Sequence, residues 1–495
     1  MSQKTITATM ARWAAGLRFE SIGAQAVHEA KRYLLDSIGC ALGGYRQEDV
    51  RIALDVLSEV AGAGPATVIG SGVRMDVVSA ALANALMVRV MDYNDIYWQQ
   101  DPSHPSDIIP AAMACGERAR KSGRELVVGI VLGHEFEMRL CEAAFPGIRE
   151  RGWHHATLTA FVSPIVAGRM LDLSWERIQH AIGISASRHA TLGAVTAGKL
   201  TMMKNTVDPM ATQSGVLAAL LAGRGYTGPE HVIDGKEGLA HCLGPEWKLG
   251  VLVDGLGESW RIERCGMKAF PTEALTHAPI SAVLDLVRTH DLAPEAVTKI
   301  HIRSLARAAD ILADPSKYDP RSKETADHSL PYVIAAALVD RQVTPAQFEP
   351  DKIMDPRIRA QLKKVEVVAD AEIERVFPKL QRVVVRIETT DGRSLEKSLD
   401  YPKGDPRNPL SDGEIEEKFD ALAAPVLSAA ARRRLKAAVW NLEKARSISE
   451  LMTLCTADGS GSTGRRRGAG TAGAGTTKRT KRPVKKGSKR SHPRR

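Results

Sequence analysis

The chain has 495 residues, which is more than a single hydrophobic core accommodates, so two or more domains are expected. The net charge of +10 comes from one segment, because thirteen lysines and arginines and no acid lie within residues 461–495. The remaining chain is slightly acidic. We therefore expect a globular body without a basic surface for nucleic acid, followed by a basic tail.

Composition excludes several further classes of protein. No run reaches the roughly 18 uncharged apolar residues that a membrane-spanning helix requires, and the first residues lack the apolar centre of a secretory signal. The six cysteines are far apart and form no Cys-x-x-Cys pair. This spacing argues against a disulfide scaffold and a zinc ribbon, so we expect buried thiols in a reducing cytoplasm.

Most of the first half of the chain has the periodicity of packed helices. Apolar residues recur at three- and four-residue steps from Val27 to Ala41, which is the spacing of one helical face. The same spacing predicts helices at Val77–Val90, Ile109–Lys121, Glu125–Cys141, Thr157–Leu171, Ser174–Ser187 and Asp208–Ala222. Pro229 is expected to begin another short helix. Almost no alternating strand pattern occurs in this region.

After Pro271 the pattern becomes a mixture of helices and strands. Helices are predicted at Ala278–His290 and Ser329–Val339, and strands at Thr298–Arg303, Lys364–Val368, Arg382–Glu388 and Ser394–Leu399. The turn at Asp391-Gly392 joins the last two strands as a hairpin. Helices return over Ser411–Ser447, and the chain from about Ala457 is expected to be disordered.

These patterns predict a mainly helical protein with a smaller α+β domain. Residues 1–267 would form the first part of a helical domain, and residues 268–405 the α+β domain. Residues 406–455 would complete the helical domain, so that it is built from both ends of the chain. Residues 456–495 would be the basic tail.

The segment 91–106 concentrates polar and aromatic side chains directly after an apolar helix. It contains Asp92, Asp95, Tyr97, Trp98, Asp101 and His104. Pro102 and Pro105 bracket His104 and fix it on a non-helical turn. Such a loop either presents polar side chains to a pocket or is a solvated connector, and the segment alone does not decide between the two.

Cations in apolar surroundings are further candidates for a site. His154 and His155 precede a helix, where they either bind an anion at the helix start or are partly exposed loop residues. Lys204 and Lys268 each stand among bulky apolar residues, so each either extends to water or faces a ligand as a buried cation. The repetition of this arrangement favours a ligand.

Two motif matches are rejected. His134-Glu135 begins a zinc-protease motif, but Met138 stands where the second histidine is required. The glycines of 223–228 have the spacing of a dinucleotide-binding loop, yet they follow a helix rather than a strand. Ser329 precedes the helix that carries Tyr332, and alone it is interpreted as a helix cap.

Several segments, in a shared order, resemble the MmgE/PrpD family over about residues 10–450. They are ALANALMVRVMDYNDIY at 81–97, SHPSD at 103–107, GWHHATL at 152–158, the run from MMKN to YTGP at 202–229, CGMKAFPTEALTHAPISAVLDL at 265–286 and DHSLPYVIAAALV at 327–339. No single segment is decisive. Their order and spacing carry the resemblance, which excludes the basic tail.

The resemblance implies a helical domain, a smaller α+β lid and an active site between them that needs neither a metal nor an organic cofactor. Its catalytic residues would be Asp92, His104, His154, Lys204, Lys268 and Tyr332; Lys204, Lys268, His154 and His277 would bind substrate. Two positions depart from the family pattern. Ile96 replaces a common threonine and removes a hydroxyl, and His155 replaces a frequent proline.

The resemblance also implies roles for these residues. His104, oriented by Asp92, would be the main acid and base, and His154 would carry a second proton or bind an anion. Lys204 and Lys268 would hold carboxylates. Tyr332 would close over the substrate or protonate a leaving hydroxyl.

The implied activity is that of a lyase that dehydrates a small polycarboxylate, with 2-methylcitrate converted to 2-methyl-cis-aconitate as the first choice. The alternatives are decarboxylation of cis-aconitate, isomerisation or epimerisation of a related polycarboxylate, and a catalytically silent relative. The family also implies a homodimer. From a different class, a nucleic-acid-associated protein acting through its tail stays open, although weak nonspecific binding of polyanions is the default for such a tail.

Overall fold

The computed structural model describes residues 5–98, 101–197, 200–243 and 246–457. Over these residues the protein is mainly helical and has a smaller part that combines helices with a sheet, which confirms the predicted fold class. No helix in these ranges is long and apolar enough to cross a bilayer. The predicted basic tail and its expected disorder lie outside the described residues.

The larger part is built from helices near both ends of the described chain. The first group comprises Ile6–Gly16, Ala24–Gly44, Glu48–Val60, Val77–Arg89, Ile109–Arg118, Gly123–Ala143, Ala156–Met170, Trp175–Ala186, Met203–Gly223 and Leu239–Leu243. The second group comprises Asp412–Ala423, Ala429–Trp440 and Ile448–Leu454. Side chains of both groups, such as Leu34 and Phe419, share one buried core.

The smaller part combines helices with a four-stranded sheet. The strand order is Ser394–Leu399, Val383–Thr389, Val297–Ser304, Val365–Ala369, antiparallel except for the last pair. Its helices are His277–Thr289, Ala306–Leu312, Lys323–Ala326, Leu330–Asp340, Pro350–Ile353, Pro356–Arg359 and Ala371–Val376. Their apolar faces and the sheet form a second core. One core lies in the helical part and the other in the α+β part. The domain boundaries that the sequence suggests stay a prediction.

Three short strands form a small sheet at the segment that the sequence singles out. Asp95–Trp98 lies between Pro102–Ser103 and Gly266–Met267 and is antiparallel to both. The sequence predicts no strand here, because the strands are short and one partner comes from a distant segment. Two further strand pairs join Ala66–Thr67 to Arg74–Met75 and Ala144–Phe145 to Glu246–Trp247.

The helix predicted to begin at Pro229 is wrong, since turns follow this residue and the next helix is Leu239–Leu243. A Cβ at Gly183 would lie 2.3 Å from the carbonyl oxygen of Pro229, so this segment packs closely against the helix Trp175–Ala186. A tertiary contact therefore overrides the local preference.

The helix predicted at Asp208 already begins at Met203, which places Lys204 in its first turn. Glycine lets this helix approach the neighbouring helix Ala156–Met170. A Cβ at Gly215 would lie 2.1 Å from the hydroxyl oxygen of Ser163 and 2.6 Å from the backbone nitrogen of Pro164. Both distances are far inside van der Waals contact, so the crossing depends on the missing side chain.

The close crossing predicts that Gly215→Ala destabilises the protein. The added methyl group has no room, and one helix must move, at a cost of about 1–3 kcal/mol in the free energy of unfolding. The matched control is Gly413→Ala in the helix Asp412–Ala423, where the nearest atom is 4.0 Å from the added Cβ. The control should be neutral or slightly stabilising. Equal urea midpoints for the two variants would contradict this account of the crossing.

Candidate active site

A cavity of ≈ 60 Å³ lies where the larger helical part meets the smaller α+β part. Five of the predicted site residues line it, namely Asp92, His104, His154, Lys204 and Lys268. The smaller part contributes Glu273, Ala274, Ile311, Leu312, Lys317 and His328. The remaining lining residues are Arg89, Ile96, Trp98, Pro102, Arg149, His155, Thr196 and Leu200. The fold thus brings residues from distant parts of the sequence to one place.

The carboxylate of Asp92 is the meeting point of three buried cations. Its oxygens lie 3.1 Å from the ammonium of Lys204 and 2.9 Å from that of Lys268, and Arg89 donates to it. Burial alone would raise the pKa of Asp92, but the charges of Lys204, Lys268 and Arg89 hold it well below its usual range. Asp92 also adopts a φ of 50°, a left-handed conformation that aspartate tolerates better than most residues.

The two lysines differ in how much of their bonding capacity the protein uses. Lys268 donates to the backbone carbonyls of Asp92 and Thr272 and is paired with the Asp92 carboxylate, so its three donors are occupied. Lys204 is paired with Asp92 and, among the residues that the structure describes, has no hydrogen-bond partner beyond that ion pair. Lys204 is therefore the lysine with donors left for a ligand, and Lys268 holds the site together.

Arg89 is a site residue that the sequence-based prediction missed. Its guanidinium lies 3.5 Å from Asp107 and 3.7 Å from Asp208, in addition to its bond with Asp92. Burial raises the pKa of Asp107 well above its usual range, although the charge of Arg89 opposes this shift. A charged residue at the end of the apolar run Val77–Arg89 was the signal that could have revealed it.

His104 is held through the backbone and not by Asp92. Its Nδ1 lies 2.5 Å from the carbonyl oxygen of Asp95, and a carbonyl only accepts, so Nδ1 carries the proton. Burial, together with the charges of Arg89 and Lys268, holds the pKa of His104 well below its usual range. The neutral ring therefore offers an unprotonated Nε2. The predicted contact with Asp92 is replaced by the contacts of Asp92 with the three cations.

His154 has the opposite tautomer. Its Nδ1 accepts the backbone N–H of Ala156 at 3.2 Å, so the proton of the neutral ring is on Nε2. Burial and the neighbouring His155 hold the pKa of His154 well below its usual range. The ring of His155 lies between the other two, with centroids 3.9 Å from His154 and 5.3 Å from His104. The cavity thus has one histidine that can accept a proton and one that can donate it.

Further residues of the cavity were missed because their role depends on tertiary structure. His328 comes from the smaller part, and its Nδ1 lies 2.5 Å from the carboxylate of Asp327, which leaves Nε2 for the cavity. The sequence interpreted this segment as a cap, and Ser329 does accept the backbone N–H of Tyr332. Lys317 and Arg149 add two more cations to the lining.

Two predicted residues do not line this cavity. Tyr332 is buried in the second core, where its hydroxyl donates to the carbonyl of Gln347 at 2.5 Å and its ring packs beside Phe348. This position does not fit the predicted closing or proton-donating role. His277 lies beside the cavity, against Phe270, with Nε2 3.3 Å from the carbonyl of Thr272. Burial lowers the pKa of His277 to about 3, so its ring is neutral.

Two buried groups among the described residues have the side chains of a metal site, namely Asp95 with His134 and Cys265, and His154 with His155 and Asp208. In the first group, burial raises the pKa of the Cys265 thiol well above its usual range, which disfavours the thiolate that binds metals. In the second group, Arg89 near Asp208 disfavours another cation. The expectation of a site without metal or cofactor stays a prediction.

Fold and site together place buried lysines, an arginine and histidines in one cavity where the helical part meets the α+β part. The MmgE/PrpD N-terminal domain matches residues 8–251, and the MmgE/PrpD C-terminal domain matches residues 270–444. The chain belongs to the MmgE/PrpD family, which confirms the resemblance read from the sequence.

Relatives with named activities are lyases. The chain is 28% identical to the cis-aconitate decarboxylase of Homo sapiens over 467 residues, which cover 92% of this chain and 95% of the relative. It is 27% identical to the cis-aconitate decarboxylase-like protein oryM of Aspergillus oryzae, covering 92% of this chain and 98% of that one. Identity to the 2-methylcitrate dehydratase of Escherichia coli K12 is 23%, covering 78% and 83%.

The three cations around Asp92 predict that Asp92→Asn destabilises the protein strongly. Asparagine fits the left-handed backbone, but it leaves buried cations without a counter-charge, at a cost of about 3–5 kcal/mol. The control is Asp400→Asn, which breaks the ion pair between Asp400 and Arg382. Both of these side chains are more than a third exposed, so the change should lower the free energy of unfolding by less than about 1 kcal/mol. Urea unfolding measures both. A loss at Asp92 no larger than that at Asp400 would contradict its role.

Proposed function

We propose that the protein is a lyase that removes a proton from a small polycarboxylate and expels a group from the neighbouring carbon. The favoured reaction is dehydration of 2-methylcitrate or a close analogue. The observation that carries the proposal is the pair of neutral histidines with opposite tautomers, His104 and His154, in a cavity lined by cations. Dehydration requires a group that accepts a proton and a donor that holds the leaving hydroxyl, and this pair supplies both.

In the proposed reaction, Nε2 of His104 accepts the proton on the carbon next to a carboxylate. The electrons of the broken C–H bond form the new C=C bond, and the C–O bond on the neighbouring carbon breaks. The leaving hydroxyl accepts a hydrogen bond from Nε2–H of His154 and departs as hydroxide, which takes the proton from the imidazolium of His104 and becomes water. Both rings are then neutral again.

Cations are needed because the proton is weakly acidic and negative charge builds up on the adjacent carboxylate. Lys204 has donors left for that carboxylate, and burial makes its charge more effective than it would be in water. Lys317 and Arg149 would bind the other carboxylates from opposite parts of the fold. His328 donates Nδ1–H to Asp327, so its Nε2 is a further acceptor on the side of the smaller part.

Decarboxylation of cis-aconitate is the second candidate. It is favoured by the relatives, because the cis-aconitate decarboxylases match 91–92% of this chain while the 2-methylcitrate dehydratases match 78–81%. In that reaction a C–C bond breaks, carbon dioxide leaves, and the electron pair on carbon takes a proton from His154. Lys204, Lys317 and Arg149 would bind the substrate carboxylates in this reaction as well. The opposite tautomers favour dehydration, since decarboxylation does not need a base.

Incubation of the full-length protein with 2-methylcitrate, citrate and cis-aconitate, followed by proton NMR, separates the two candidates. Dehydration gives an alkene that retains all three carboxylates, whereas decarboxylation releases carbon dioxide and leaves two. In deuterium oxide, reversible proton removal by His104 would also exchange the substrate C–H. No turnover and no exchange with any of the three acids would contradict the proposed class of substrate.

Lys204→Met is expected to lower kcat/KM by about 30- to 1,000-fold, which is about 2–4 kcal/mol of transition-state stabilisation. The change removes the ammonium and keeps a flexible apolar side chain of similar length. Lys363→Met at an exposed position is the matched control and should leave kcat/KM unchanged. Wild-type kinetics in Lys204→Met would remove this residue from the reaction.

Burial lowers the pKa of Lys204 to about 8, even though Asp92 favours the charged form. The free protein therefore has an ammonium below pH 8 and loses it above, so kcat/KM should fall by up to about tenfold per pH unit above pH 8. A bound carboxylate stabilises the ammonium, and kcat should fall only at higher pH. Lys204→Arg should remove the decline, because arginine stays charged. A wild-type kcat/KM that is constant to pH 9.5 would contradict this assignment.

A further inference from the structure

A second, larger cavity adjoins the cavity of the candidate active site. Its volume is ≈ 270 Å³, compared with ≈ 60 Å³ for the first. The two cavities share four lining residues, namely Ile96, Trp98, Lys268 and Ala274. These four residues therefore separate the two cavities, and a group that passes them enters the second.

Three of the four shared residues are apolar, namely Ile96, Trp98 and Ala274, and two of them lie on the strand Asp95–Trp98. Side chains alternate along a strand, so Ile96 and Trp98 point to one face, and Asp95 and Tyr97 point to the other. Asp95 accepts bonds from Ser106, and Tyr97 donates to Glu142 and borders the larger cavity alone. Ile96 and Trp98 line both cavities. Ile96 is half-buried, so part of its surface is available to a ligand.

The cations that line the larger cavity are each paired with an acid. Arg264 lies 3.1 Å from Glu142, Lys403 lies 2.9 Å from Glu414, and Arg407 lies 2.7 Å from Asp405. Lys268 is paired with Asp92. His277 also lines this cavity and has a neutral ring. Tyr97 and Gln381 are polar, whereas Ile96, Trp98, Met267, Pro402 and Pro406 give an alkyl group apolar surface to contact.

We infer that the substrate is a polycarboxylate with an alkyl chain of two or more carbons, and that this chain lies along Ile96 and Trp98 into the larger cavity. The inference rests on the proposed function, because it takes the charged part of the substrate to bind in the first cavity. It goes beyond that function in naming the substituent, which a substrate such as citrate lacks. Ile96 and Trp98 become residues that determine specificity.

The contribution of the alkyl chain to binding can be expressed as a change in affinity. Each methylene group moved from water to an apolar surface adds about fourfold to affinity. The threonine that the family often has at position 96 would place a hydroxyl at this boundary, and burying that hydroxyl beside an alkyl chain is unfavourable. Isoleucine removes this cost and adds apolar contact.

The test uses tricarboxylates that have no hydroxyl and no double bond, so that binding is measured without turnover. Propane-, butane-, pentane- and hexane-1,2,3-tricarboxylate differ only in the length of the alkyl chain. Isothermal titration with the full-length protein should give a Kd that falls by about threefold to fourfold with each added carbon. A Kd that is constant or rises along the series would overturn the inference.

Variants connect this length dependence to the proposed boundary. Ile96→Thr should flatten the series, so that the Kd falls less with each added carbon than it does for the unsubstituted protein. Ala274→Leu should narrow the passage at the half-buried Ala274, and weaken the binding of the hexane compound more than that of the propane compound. The control is Ile52→Thr, the same substitution at a residue that is 42% exposed and lines neither cavity. An unchanged series in both cavity variants would overturn the inference.

The same titrations distinguish failure of the inference from failure of the proposed function. If propane-1,2,3-tricarboxylate binds and Lys204→Met abolishes its binding, the proposed anion site is supported. The change of Kd with chain length then tests the inference about the alkyl chain by itself. If no tricarboxylate of the series binds, both the proposed function and the inference are wrong. If the inference holds, kcat/KM for a series of 2-alkylcitrates should also rise with the length of the alkyl chain.

Discussion

The carboxylate of Asp92 gathers three cations from three distant segments of the chain. Arg89 comes from the end of an apolar helix, Lys204 from the first turn of another helix, and Lys268 from the residue after a short strand. Burying this much charge is costly, and the cost is tolerable only because each cation has a counter-charge nearby. The arrangement fixes the cations without a ligand, so the polyanion of the proposed function would meet a site that is already organised. The asymmetry between the lysines follows, since Lys268 uses its donors on the protein and Lys204 keeps donors for a ligand.

The histidines depend on the backbone rather than on carboxylates. The carbonyl of Asp95 and the N–H of Ala156 assign opposite tautomers to His104 and His154, although both rings are buried and neutral. The strand Asp95–Trp98 therefore has two functions in this account. Its backbone orients the base, and its apolar face forms the boundary toward the larger cavity. A small sheet of two- to four-residue strands thus connects the chemistry to the choice of substrate.

The sequence predicted most of the fold because helical periodicity and the hairpin turn are local signals, and the helix and strand bounds in the smaller part differ from the predicted ones by a residue or two. It failed at Pro229, where contact with Gly183 decides the conformation, and at the short strands, whose partners are distant. For the site, the family resemblance named five residues that share a cavity. Arg89, His328, Lys317 and Arg149 were missed because their importance comes from which groups the fold places beside them. Tyr332 was expected at the site but is bonded to Gln347 within the second core, which the sequence could not reveal.

A crystal structure of the full-length protein with bound propane-1,2,3-tricarboxylate tests the central claim most directly, because it shows which side chains the carboxylates contact. The account predicts one carboxylate within hydrogen-bond distance of the ammonium of Lys204, with the adjacent methylene carbon next to Nε2 of His104. A ligand seated away from the cavity around Asp92, or one whose carboxylates contact neither Lys204 nor another cation of its lining, would contradict it.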